Sequence, residues 1–249
     1  MSRKKCIVYH TNWANYARNF QVKDIPLQGI TDIAYAFFNL EDSGGGLYKI
    51  VSGDTYFSSS VQRLRECRWA DFENPFIGKD VEPQNTWSSP PSDLGLFGQF
   101  NKLHNSSSGA FNLQLSIGGW TWSKYFSLAV RTHESRSSLV KSIIDLFLQW
   151  KCFHGVSIDW EYLSNDGINY GNDGNVVDRN DPENLVLFIQ LLRNEFIKQG
   201  WNEYTIAMCF TPAPEKIKFD VKRLIPLIDE WHVMTYESTS PSLSFLTHS

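Results

Sequence analysis

Six short apolar runs set the terms on which this chain can fold: Cys6–His10, Asp32–Phe38, Leu113–Ile117, Gly155–Trp160, Tyr204–Phe210 and Trp231–Met234. Most are near-continuous runs of four to seven residues, the pattern of strands covered on both faces, as in parallel sheets. Between the later runs the apolar period lengthens. Ser135–Cys152 carries Leu139, Ile143, Leu146, Phe147 and Trp150 at helical spacing, and Asn184–Lys198 carries Leu185, Phe188, Ile189, Leu192 and Phe196. The second helix has its own punctuation, with Asp181 expected as N-cap, Pro182 at the first helical position and Gly200 past the end. Strands alternating with helices imply βαβ units and a parallel sheet.

One run departs from continuity. In CFHGVSIDWEYL (152–163), Val156, Ile158 and Trp160 alternate with Ser157, Asp159 and Glu161. Successive side chains of a strand point to opposite faces, and residues two apart lie about 6.5–7 Å from each other. One face is therefore apolar, while the other carries a hydroxyl and two carboxylates in line. Carboxylates so placed repel and desolvate one another, which favours a site that uses them; an edge strand with a solvated face is the alternative. Polar residues near the C-terminal end of a parallel strand point to a (β/α)8 TIM-type barrel, whose catalytic groups project from those ends. A doubly wound open sheet is the rival, weakened because no Gly-rich nucleotide fingerprint follows any strand. Residues 41–110, rich in Ser, Gly and Pro, are expected as a long insertion over the site with helix-like segments at Ser60–Glu66 and near Leu94–Leu103. The polar loop 163–181 lacks calcium-loop spacing, so no metal is expected there.

The 249 residues are 42% hydrophobic, enough for one domain of barrel size with a sizeable core. Aromatics reach 14%, nine of them Trp; those at loop positions would suit the flat apolar face of a sugar, and the others the core. A net charge of −4 and a pI near 5.9 leave no basic footprint for nucleic acid. Cys6, Cys67, Cys152 and Cys209 form no C-x-x-C pair, and those in strand-like runs are expected as small buried hydrophobes. The N-terminus MSRKKCIVYHTNW has no apolar stretch of signal-peptide length, no segment is long enough to span a membrane, and a lone sequon stands at Asn105. No cofactor is expected.

LQLSIGGWTWS (113–123) followed by FHGVSIDWEY (153–162) resembles the paired signatures of family 18 glycoside hydrolases, the chitinases, and is most similar to large bacterial members. The S-x-G-G element is matched by Ser116, Gly118 and Gly119; the D-x-x-D-x-D-x-E element by Asp159 and Glu161; and WHVMTYE (231–237) resembles the family's sixth-strand M-x-Y-D segment. The resemblance implies a (β/α)8 barrel that hydrolyses β-1,4-linked N-acetylglucosamine in chitin or its oligosaccharides, in which the substrate's N-acetyl group assists. It implies Glu161 as general acid/base, Asp159 as the carboxylate that orients the acetamido group, and Tyr236 as a donor to its carbonyl. Tyr9, Phe37 and Met234 would floor the sugar subsite next to the scissile bond, and Trp13 and Trp120 would be stacking platforms on its two sides.

Three positions depart from that pattern. His154 and Ser157 stand where the family has aspartates, and Glu237 where it has another. His154 is expected to affect packing. Ser157 would keep a hydrogen bond but remove a charge from the proton relay, and Glu237 would add a methylene beside the sugar. The sequence also stops after the sixth strand, so a fragment, or completion by another chain, is the expectation. Two alternatives stay open beside the hydrolase: a chitinase-like lectin or interaction subunit, and an endo-β-N-acetylglucosaminidase acting on N-glycans.

Overall fold

The computed structural model describes residues 4–16, 18–52, 68–75, 93–163, 167–168 and 174–236. Glu237, Cys67 and the helix-like Ser60–Glu66 lie outside the described residues. In chain order the elements are β1 (Ile7–Thr11), β2 (Asp32–Gly44), β3 (Leu47–Ser52), α1 (Gly95–Ser106), β4 (Asn112–Gly118), α2 (Gly119–Trp122), α3 (Phe126–Arg131), α4 (His133–Gln149), β5 (Phe153–Asp159), α5 (Asp181–Lys198), β6 (Thr205–Phe210), α6 (Val221–Leu224) and β7 (Glu230–Val233). The sheet order is β1-β2-β4-β5-β6-β7, every neighbouring pair parallel, with β3 antiparallel to β2 outside this path. This is the curled sheet of an incomplete (β/α)8 barrel.

All six expected strands form. The additional β3 comes from the stretch expected as insertion: β2 runs on to Gly44, and the chain turns back through Gly44–Gly46, all at positive φ. Along Leu47–Ile50 exposed and buried residues alternate, a half-covered strand that the neighbouring glycines and charges obscured. Helix α4 opens on Thr132, whose hydroxyl accepts the Ser135 N–H at 3.1 Å. The start of α5 differs from expectation by one residue. Asn180 is its N-cap, Asp181 its first residue and Pro182 its second, because the Asp181 carboxylate turns back to accept the Asp178 N–H at 2.8 Å.

The two faces of the sheet have opposite chemistry. Ile33, Leu113, Leu115, Val156, Ile158 and Ile206 pack outward with Phe97, Ile143, Phe147, Ile189 and Phe196 of the helices in one buried cluster. Phe153 is held between Phe97 and Phe147, at ring-centroid distances of 5.0 and 5.1 Å. The alternate residues face inward and are largely polar. At the N-terminal end of the strands, Gln114 Nε2 donates to Glu230 Oε2 at 2.9 Å, Asn112 Nδ2 donates to Asp32 Oδ1 at 3.2 Å, and Lys5 pairs with both acids. Burial alone would push the Glu230 carboxyl up, but hydrogen bonds from His232, Lys5 and Gln114 outweigh it and hold it at about 2.

A carboxyl held below its ordinary value of 4.5 stabilises the fold above that pH, and the contribution is lost as pH falls toward about 2. The urea midpoint is expected to drop between about pH 5 and pH 3, and the drop to be smaller in Glu230→Gln. Equal acid sensitivity in both proteins would dismiss this role for Glu230.

Candidate active site

The C-terminal ends of β4 and β5 meet at Gly118 and Asp159, which are register partners. Gly118 has φ +103°, and a Cβ there would lie 2.3 Å from the Asp159 carbonyl oxygen, so only glycine lets the two strands approach so closely. Next to it Gly119 opens α2, and a Cβ on it would meet the Phe37 ring at 3.0 Å.

Beyond Asp159 the backbone of Glu161 is clamped. Its N–H donates to Ser123 Oγ at 2.8 Å, its carbonyl accepts from Asn175 Nδ2 at 2.7 Å, and Ser123 Oγ in turn donates to the Gly119 carbonyl at 2.9 Å. Ser123 therefore ties the turn after β4 to the acid after β5. The sequence reading missed both Ser123 and Asn175. Ser123 closes the quoted segment LQLSIGGWTWS, but nothing in that pattern says that its hydroxyl bridges two strand ends. Asn175 sits in the polar 163–181 loop, where one amide cannot be told from its neighbours.

Asp159 is buried, 4% exposed, and its Oδ1 has no hydrogen-bond partner among the described residues. Burial, and secondly the charge of Glu161, push its carboxyl up to about 8, against a hydrogen bond from the Cys209 thiol that favours ionisation. Asp159 therefore holds its proton at neutral pH, beside the Glu161 charge. Burial, followed by the nearby Glu161, also raises Tyr162.

Beneath the pair lie Ser157, with its hydroxyl 3.3 Å from Cys209 Sγ, and Ser116, buried with no partner for Oγ among the described residues. Tyr9 Oη stands 3.3 Å from Cys209 Sγ and 3.2 Å from His232 Nδ1. Cys209 and Cys152 are buried as expected, but Cys6, which precedes β1, is exposed.

Aromatic side chains rim the same end. Trp13 stacks on Phe37 with centroids 6.4 Å apart, and Trp122 joins both. Trp120 meets Tyr162 edge-on at 6.3 Å. Trp13 and Trp120 are 44% and 48% exposed, and Tyr236 is 66% exposed. Phe37 and Met234 are half-buried, with Met234 following β7 and donating its N–H to the Phe210 carbonyl at 2.8 Å. The structure thus brings Tyr9, Ser116, Gly118, Ser157 and Asp159 onto one interior face under Glu161. His154 is not among them: it is the second residue of β5, at the far end of the strand, stacked on His104 at 4.6 Å and next to Tyr204.

The family profile described as "Glycosyl hydrolases family 18" matches residues 5–249. "Endochitinase 1" of the fungus Metarhizium robertsii is 30% identical over 241 residues, covering 92% of this chain and 47% of that protein. "Chitinase A1" of the bacterium Niallia circulans is 27% identical over 250 residues, covering 94% and 34% respectively. Among solved structures, the catalytic domain of psychrophilic chitinase B from Arthrobacter TAD20 superposes with a TM-score of 0.75 at 25% identity, covering 92% of this chain and 57% of that one. The chain spans about half the length, or less, of the curated relatives it matches here.

A carboxyl pushed above its ordinary 3.8 leaves the folded chain holding a proton that the unfolded chain releases, so stability falls as pH rises from about 4 to about 8. Asp159→Asn is therefore expected to raise stability at pH 7 by on the order of 2 kcal/mol, measured by thermal or urea unfolding. A less stable Asn variant at that pH would contradict the assigned protonation.

Proposed function

The chain belongs to glycosyl hydrolase family 18, and from that premise we propose that it cleaves β-1,4 linkages of chitin or N-acetylglucosamine oligosaccharides by a retaining, substrate-assisted mechanism. The observation that carries this is the buried Asp159, its Oδ1 unpartnered among the described residues and its carboxyl held high, two residues before Glu161 at a strand end. Residues 1–249 are read as part of one catalytic barrel, with an insertion at about 41–110.

In this scheme Glu161 gives its proton to the glycosidic oxygen as the C1–O bond breaks. The substrate's own acetamido carbonyl oxygen bonds to C1, so no protein nucleophile is needed. Asp159, having passed its proton to Glu161, accepts the acetamido N–H on Oδ1 and offsets the positive charge of the cyclic oxazolinium. Water then adds to C1 on the face the leaving group has vacated and gives a proton to Glu161, reopening the ring and restoring the acid. A general acid works best when its pKa lies near the working pH, which the neighbouring Asp159 charge favours.

Tyr236 donates to the acetamido carbonyl, while Tyr9, Phe37 and Met234 floor the subsite. Trp13 and Trp120, both exposed, stack on sugar rings. Ser116, Gly118 and Gly119 shape the wall that the acetamido methyl meets, and Glu237 contacts the same sugar.

A second reading, oligosaccharide binding without turnover, is favoured by Ser157. A serine in the middle position holds a hydrogen bond to Cys209 but cannot share a proton with Asp159.

Turnover of a fluorogenic chitotriose separates the two. Glu161→Gln is expected to lower kcat by about 10²–10⁴-fold while oligosaccharide affinity changes little. Binding without turnover in the unsubstituted chain would establish the second reading. Release of glycans from a high-mannose glycoprotein, with chitotriose untouched, would redirect the assignment to N-glycan cleavage.

A further inference from the structure

Below Asp159 the interior face carries a file of polar groups that the proposed chemistry does not use. The Cys209 thiol favours the ionised form of Asp159, and its sulfur lies 3.3 Å from both the Ser157 and the Tyr9 hydroxyls. Tyr9 Oη is 3.2 Å from His232 Nδ1, and His232 Nε2 is 3.1 Å from Glu230 Oε2. The file ends on Lys5 and Gln114, which pair with Glu230. The groups facing His232 are thus Tyr9 from β1, Cys209 from β6 at 3.9 Å and Glu230 on its own strand, with Lys5 and Gln114 acting through Glu230.

The carboxylate at the bottom fixes the direction of the donors above it. Glu230 can only accept, so His232 Nε2–H donates to it. In the neutral imidazole Nδ1 is then an acceptor, and the Tyr9 hydroxyl must donate downward. Tyr9 Oη then meets Cys209 only as an acceptor, drawing the thiol proton away from Asp159. When His232 is protonated, Nδ1–H donates to Tyr9 Oη instead. The Tyr9 proton turns up toward Cys209, whose own proton is then free to reach Asp159. The file gains one upward donor with no change in backbone. A carboxyl served by an added donor yields its proton more readily, and the adjoining acceptor for that proton is Glu161.

We propose that His232 is a positioning residue which, through Tyr9 and Cys209, sets whether the proton shared by the two acids rests on Asp159 or on Glu161. The role suits a chain with Ser157 in the middle position, because serine cannot hold that proton. Its kinetic consequence rests on the hydrolase reading; its chemical consequence does not.

Carboxyl-carbon NMR of Asp159 in the whole chain, from about pH 4 to about pH 10, tests it without turnover. His232→Leu removes the acceptor and leaves the Tyr9 hydroxyl pointing up at every pH, so the Asp159 titration is expected to move to lower pH. The same substitution in a Tyr9→Phe background is expected to leave it in place. An unmoved titration in His232→Leu, or an equal displacement with and without Tyr9, overturns the inference. Should His232→Leu not fold, Glu230→Gln releases the Nε2 proton and is expected to act in the same direction, again with a component that disappears without Tyr9.

In the kinetic arm, the fall of kcat on fluorogenic chitotriose with rising pH is expected to be displaced in His232→Leu, with KM within about twofold of the unsubstituted chain. Superimposable pH profiles would also overturn the inference. No turnover by the unsubstituted chain would defeat the hydrolase reading instead, and the carboxyl titration would then decide the inference by itself.

Discussion

The polar layer of Lys5, Asp32, Gln114 and Glu230 is the constraint from which the interior is built. Glu230 belongs to β7 and Asp32 to β2, with Gln114 on β4 and Lys5 just before β1. These strands are not all neighbours in the sheet, so their side chains meet only because the sheet curls. A carboxylate buried without partners would cost several kcal/mol; Lys5, Gln114 and His232 supply those partners to Glu230. Once the curl is set, Tyr9, Ser157, Cys209 and His232 from four strands fall within hydrogen-bonding distance one layer higher. The acids stand above them.

The opposite face shows why the molecule tolerates so polar an interior. Nearly all of the apolar side chains of the strands turn outward against α1, α4 and α5, where Phe97, Phe147, Phe153 and Phe196 form a continuous aromatic core. Burial of that face is the main favourable term in folding. The inner face contributes less and is free to carry chemistry.

Asp159 shows the cost of that freedom. It is placed where water is scarce and another carboxyl is near, so its charged form is disfavoured. The glycine at 118 brings the neighbouring strand against it, and Ser123 holds the following acid by its backbone. A site assembled this way opposes the stability of the fold locally, as perturbed acids at functional sites generally do. Trp13, Phe37 and Trp122 pack on one another at the same end of the sheet, with Trp13 and Trp120 left exposed.

The order of strands, the two long helices and the strand that carries Ser157 and Asp159 were all legible in the residues, while Glu161 lies in the turn just past that strand. A parallel strand buried on both sides must be apolar throughout, a helix must repeat its apolar residues every three or four, and strand residues two apart must share a face. Each of these is a local rule that backbone geometry imposes on any chain. Strand β3 escaped because the glycines of its turn and its own exposed positions resemble a loop. Ser123, Asn175, Cys209 and His232 escaped for a different reason. A serine, an amide, a thiol and an imidazole each have many uses, and here each gains its partner from another strand or loop, with a separation of 38 in chain number between Ser123 and Glu161 and of 223 between Tyr9 and His232. Residue type and periodicity determined which face each side chain would take; only the curling of the sheet decided which side chains would meet, because hydrogen bonds and charge depend on distance in space and not along the chain.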